Sequence, residues 1–153
     1  MNTQHALLVC TECATVWKDG KPQGKSGGKK FLEYLTQLHQ AWDLQAQFPI
    51  QPVKCMSACS HPCAVSFTAL GKHTYLFGDL PVSEESLSTT ASAVLECASQ
   101  YYTKTDGLLP WSERPEPLKK GVLARIPPIF IPDLSSLEIS DTKGQSLNEI
   151  THN

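Results

Sequence analysis

Two short apolar stretches each run directly into a group of cysteines, and this repeated juxtaposition limits the folds open to the chain. Residues 6–10 (ALLVC) lead into Cys10-Thr-Glu-Cys13, and Ile50 to Cys55 leads into CMSACSHPC, which ends at Cys63. Between them Phe31, Tyr34, Leu35, Leu38 and Trp42 recur at three- and four-residue steps. That spacing predicts an amphipathic helix from Lys29 to about Gln47, closed by Pro49. A strand, a helix and a parallel second strand bring the C-terminal ends of both strands to one edge of a sheet. Cys10, Cys13, Cys55 and Cys59 then converge from two loops, with Cys63 close by.

The remaining elements extend the same layer. Val65, Phe67 and Ala69 alternate with Ser66 and Thr68, and His73 to Phe77 returns as a partner strand. Gly71-Lys72 reads as a two-residue turn of type II′ between them. Pro52 places the second strand at an edge or a strand start. After Gly78-Asp-Leu-Pro81, Ser83 is the expected N-cap of a second helix, with Glu84 and Glu85 in its first turn. Leu87, Ala91, Val94, Leu95, Ala98 and Tyr102 form its apolar face as far as about Thr103. The order is β-α-β-β-β-α, an α/β single sheet flanked by helices. Residues 1–105 form this domain. Residues 106–134, rich in proline yet holding Leu108, Leu109, Trp111, Val122, Leu123, Ile126 and Phe130, form an extended strap packed on it. Residues 135–153 read as a flexible polar tail.

Composition excludes several classes of function. The chain has 153 residues, a net charge of −2 and 41% hydrophobic residues, as an ordinary single domain with an appendage does. Nothing in that charge points to nucleic-acid binding. No apolar run approaches the roughly 20 residues needed to span a bilayer. Ala6–Val9 lacks a basic region before it, so it reads as a strand and not a signal peptide. The expected compartment is the reducing cytoplasm, where six cysteines point to metal binding or catalysis more than to disulfides.

The CMSACSHPC spacing would stack three thiols on one face of a helix. Pro62 opposes this, because it disfavours helix at His61 and removes a backbone donor. The loop reading is the consistent one. Four thiolates from two loops can hold one tetrahedral zinc ion or an iron–sulfur cluster. Cys10 and Cys13 have a zinc-knuckle spacing, but Cys55 and Cys59 are one residue further apart and are followed by Cys63. A [2Fe–2S] cluster is wider than one ion and accommodates that spacing. The loop from Thr11 to Lys30 carries five lysines against Glu12 and Asp19, which favours an anionic cluster.

The order β-α-β-β-β-α, with cysteines after the first strand and C-x3-C after the second, resembles the thioredoxin-like [2Fe–2S] ferredoxins. It is similar also to the iron–sulfur subunit of respiratory complex I that shares their fold. The segments VCTEC, CMSACSHPC, KHTYLFGDL and GLLPWSERPEPLKKGVLARIPP resemble, more closely, a bacterial family of small proteins described only as predicted metal-binding, over residues 7–128. The ferredoxin resemblance implies that Cys55 and Cys59 match the C-x3-C ligands and Cys10 the first ligand. The second ligand in that family stands further from the first than Cys13 does from Cys10. Cys13 is therefore a candidate fourth ligand, and Cys63 is either its replacement or a spare thiol.

The resulting expectation is a one-electron carrier, not an enzyme. A redox partner protein would dock over the cluster loops, with Lys18, Lys21 and Lys25 at the rim; a homodimer is equally compatible. The alternative is zinc, or another ion, held for structure or delivered to other proteins by this chain as a metallochaperone. A third reading takes Cys10-Thr-Glu-Cys13 as a thioredoxin-like disulfide oxidoreductase pair. Such a pair needs a helix N-terminus beneath it, and some fifteen loop residues intervene here. Gly20 to Ser26 imitates a phosphate-binding loop with one residue too few between its glycines. His61 is a possible ligand inside the cysteine loop. His5, His39, His73 and His152 are expected at the surface, Cys97 in the core, and Trp42 and Trp111 as core or strap anchors.

Overall fold

The computed structural model describes residues 4–129, so the tail from residue 135 onward, the end of the strap and His152 lie outside the described residues. Its elements are β1 (His5–Cys10), β2 (Trp17–Lys18), β3 (Lys21–Pro22), α1 (Gly27–Gln40), β4 (Ile50–Val53), β5 (Val65–Ala69), β6 (Thr74–Phe77), α2 (Leu87–Thr103) and β7 (Val122–Ile126). The mixed sheet has the order β4-β1-β5-β6-β7. β1 and β4 are parallel, as the βαβ argument requires, and the other neighbours are antiparallel.

One face of this sheet carries the core. The register sets Leu7 opposite Phe67, Val9 opposite Val65, Val65 opposite Phe77, and Phe67 opposite Tyr75. All six are at most 2% exposed and pack with Phe31 and Leu35 of α1 and with Ala91, Val94 and Ala98 of α2. Burying each large apolar side chain contributes about 1.5–3 kcal/mol, which offsets the entropy lost in ordering the chain. The two helices also touch one another, so both lie against this face.

Several boundaries differ from the sequence expectation. α1 starts at Gly27 because the Ser26 hydroxyl accepts the Lys29 amide at 3.0 Å, capping the helix. It ends at Gln40, where the chain passes into successive turns that bring Phe48 back over the core. The imidazole of His39 lies 2.9 Å from the Phe48 carbonyl and ties that reversal, so His39 is buried and not at the surface. α2 begins at Leu87. Ser83 is not its N-cap but opens the preceding turn, its carbonyl accepting the Ser86 and Leu87 amides. Between β5 and β6 the turn runs from Ala69 to Lys72, so Gly71, at φ +75°, is its third residue and not the first of a II′ pair.

The strap is partly sheet. Val122–Ile126 adds a fifth strand beside β6, and a bulge at Leu76/Phe77 leaves Leu123 as the extra residue. Leu109 and Leu118 are buried, and the Leu109 amide donates to the Tyr75 hydroxyl at 2.9 Å. Trp111 is no core anchor: it is 56% exposed, with the Lys119 ammonium 4.7 Å from its ring. His5 is half-buried against Phe48 and Tyr102, another departure from the expected surface position. Cys97 is fully buried in α2, as its place on the apolar face predicts. Among the described residues no helix is long and apolar enough to cross a membrane.

Candidate metal centre

Parallel pairing sets Cys10 beside Val53, so the loops leaving β1 and β4 emerge together. The Cys10 amide donates to the Ala64 carbonyl, and the Thr11 amide to the Val53 carbonyl at 2.8 Å, locking the first cysteine loop to the second. Cys10, Cys13, Cys55 and Cys59 then line one cleft of about 440 Å³, completed by Glu12, Ala14, Thr15, Trp17 and Pro62. The four residues drawn from sequence spacing thus share one wall-to-wall site. Cys63 does not line it.

The thiols are unequal. Cys55 and Cys59 are exposed, and Cys10 and Cys13 are buried. Cys10, Cys13 and Cys63 pack in one buried cluster. The neighbouring Cys63 thiol, then burial, raises the pKa of Cys13 well above that of a free thiol. Burial, then the neighbouring Cys13 thiol, pushes Cys10 upward, and Cys55 pushes Cys59 upward. Cys63 is shifted the other way by its neighbour Cys13.

The backbone around these sulfurs is shaped for them. Residues 55–63 form turns and no helix, as Pro62 requires. Ser57 adopts a left-handed conformation, φ 59°, and its amide donates to Cys55 Sγ at 3.3 Å. At the other wall the α1 N-terminus closes on the first loop. The Gly27 amide donates to the Ala14 carbonyl at 3.1 Å, the Gly28 amide to the Cys13 carbonyl at 2.9 Å, and the Ser26 hydroxyl to the Thr11 carbonyl. The thirteen residues between Cys13 and α1 in sequence are therefore no distance in space. Even so, those helix amides are taken by carbonyls and the neighbouring thiols are pushed up, the reverse of what an activated disulfide-exchange cysteine needs.

Two features escaped the sequence reading. The long loop after Cys13 holds a two-stranded ribbon, β2–β3, turning at Asp19-Gly20 with both φ values positive. Asp-Gly between paired residues is the signature of a type I′ hairpin turn and was legible there. The ribbon carries Trp17, 63% exposed, to the cleft rim beside Val16, 60% exposed. Ser26, which made the loop imitate a phosphate site, is the α1 cap. Lys25 is held by Glu33 at 2.8 Å, so of the three rim lysines it is partly neutralised. His61 points to Asp79 at 3.0 Å instead of into the cleft.

Among the described residues no three His, Cys, Asp or Glu side chains are grouped so that they could hold a single metal ion. The donors come instead as two thiol pairs across a cleft. A [2Fe–2S] cluster asks for two ligands at each of two irons, and four thiolates would supply them. The residues present fit that group: paired soft donors, an amide directed at a sulfur, and room wider than one ion occupies.

A family model described as "Protein of unknown function (DUF1636)" matches residues 7–128. No curated protein matches the sequence. Among solved structures, a thioredoxin-like [2Fe–2S] ferredoxin from Aquifex aeolicus is similar at a TM-score of 0.48 and 18% identity, covering 84% of this chain and 100% of that one.

Proposed function

The chain belongs to this family of unknown function, and from that premise we propose that it is a one-electron carrier with Cys10, Cys13, Cys55 and Cys59 holding a [2Fe–2S] cluster. The observation that carries the reading is the assembly of those four thiols, in two pairs, around one cleft at the shared edge of β1 and β4. When bound, the cluster supplies a single reversible electron. The chain's own part is to present the ligands, shield one side of the site and leave the other open to a partner. Cys10 and Cys13 are set into the protein, while Cys55 and Cys59 face solvent. An electron would pass on the Cys55–Cys59 side, through brief docking of a redox protein over the loops.

Lys18 and Lys21 on the ribbon stand beside the exposed Trp17, in a chain whose net charge is −2. That local excess of positive charge suits an acidic partner, which it would steer at low ionic strength. Anaerobic purification followed by a visible spectrum, and EPR after reduction, tests the cluster. Single Cys→Ser changes at positions 10, 13, 55 and 59 should each abolish or alter that spectrum. A Ser variant at any of these four that keeps both the wild-type spectrum and the wild-type iron content removes that residue from the ligand set.

A further inference from the structure

We infer that Cys63 is a positioning residue behind the cluster site, whose thiol donates a hydrogen bond to the sulfur of Cys13 and raises the reduction potential of the bound cluster. This rests on the electron-carrier reading above. Cys63 is 1% exposed and absent from the cleft wall, yet it packs in one buried cluster with Cys10 and Cys13, and both of those line the cleft. Cys63 is also pinned. Its amide donates to the Leu80 carbonyl at 3.4 Å, and its carbonyl accepts the Leu80 amide at 3.2 Å. Two residues earlier the His61 carbonyl accepts the Asp79 amide at 2.8 Å. On another side stands α1, where a Cβ added to Gly27 would lie 3.7 Å from Cys63 Sγ.

These bonds fix the main chain of Cys63 behind the cleft wall, and its thiol packs in the same buried cluster as Cys13. Once Cys13 is a ligand it has given up its proton, so a hydrogen bond between the two sulfurs runs from the Cys63 S–H to Cys13 Sγ. Reduction adds negative charge to the cluster and its sulfurs. A donor at a ligand sulfur stabilises that extra charge and favours the reduced form.

The test uses Cys63→Ala and Cys63→Ser in the full chain, purified anaerobically, with iron and acid-labile sulfide content, visible spectrum and midpoint potential measured. Both variants should keep the wild-type iron, sulfide and spectrum. Cys63→Ala, having lost the donor, should shift to a more negative potential. Cys63→Ser keeps a donor, and a stronger one, so its potential should shift to a more positive value. It also carries the test alone if the alanine cavity prevents folding. Unchanged potentials in the folded, cluster-bearing variants overturn the inference and leave the electron-carrier reading standing. Loss of cluster from folded Cys63→Ser, with cluster retained in Cys13→Ser, makes Cys63 the ligand and overturns it too. Wild-type protein without iron or sulfide overturns the electron-carrier reading itself, and this inference with it, before any variant is made.

Discussion

Gly28 of α1 approaches Cys10 so closely that a Cβ on it would stand 2.3 Å from the Cys10 carbonyl oxygen. The helix that joins the two cysteine-bearing strands is thus seated directly on the first cysteine loop. Gly28→Ala would ordinarily help a helix by about 1 kcal/mol. Here it must push α1 off the loop, and overpacking of this kind costs about 1–3 kcal/mol. The expected result is a lower denaturant midpoint together with reduced iron content on reconstitution. An unchanged midpoint would show that the loop yields without cost.

The same seam depends on Ser26, whose hydroxyl caps α1 and donates to the Thr11 carbonyl. Ser26→Ala should lower stability by about 1 kcal/mol, as the loss of an N-cap does. Urea unfolding of the metal-free protein measures it directly. A neutral effect would mean that water replaces both bonds.

Thiol reactivity should follow position in the fold. In the metal-free protein, Cys55 and Cys59 are exposed, Cys10, Cys13 and Cys63 are buried, and Cys97 is buried in the core with its thiol pushed up to about 12 by burial. Pulsed alkylation read by mass spectrometry should label Cys55 and Cys59 first and Cys97 last. Early labelling of Cys97 would contradict the packing of α2.

A pH dependence originates far from the cysteines. The pKa of His5 is lowered by burial, then by the Lys72 charge, and its Nε2 is buried without a hydrogen-bond partner. Above about 6.5 the ring is neutral in both folded and unfolded chains, and the contribution to stability is complete. As pH falls below that value the unfolded chain takes up the proton first, and stability is lost as pH falls through the lower folded value. His5→Phe should flatten this acid limb below about pH 6.5. An identical limb in the variant would place the titration elsewhere.

Much of this arrangement was legible in the sequence because it depends on local periodicity. Phe31 and Leu35 at helical spacing, and Val65 and Phe67 at strand spacing, named the core. The parallel partnership of β1 and β4 followed from the intervening helix, and it brought Cys10 and Cys55 to one edge. Pro62 was enough to reject a helix through the second cysteine loop. What escaped depends on tertiary closure. His39 gives no sign in sequence that it will fold back on the Phe48 carbonyl, and Val122–Ile126, surrounded by prolines, becomes a strand only because β6 has a free edge. The place of Cys63 behind the cleft wall is likewise tied to its Leu80 contacts, which spacing cannot encode.

If the two cysteine loops hold a two-iron cluster, iron, zinc and acid-labile sulfide analysis of the anaerobically purified full chain should find about two iron and two sulfide ions per chain, lost when Cys55 or Cys59 is changed to serine. A colourless protein with one zinc ion and no labile sulfide would contradict it.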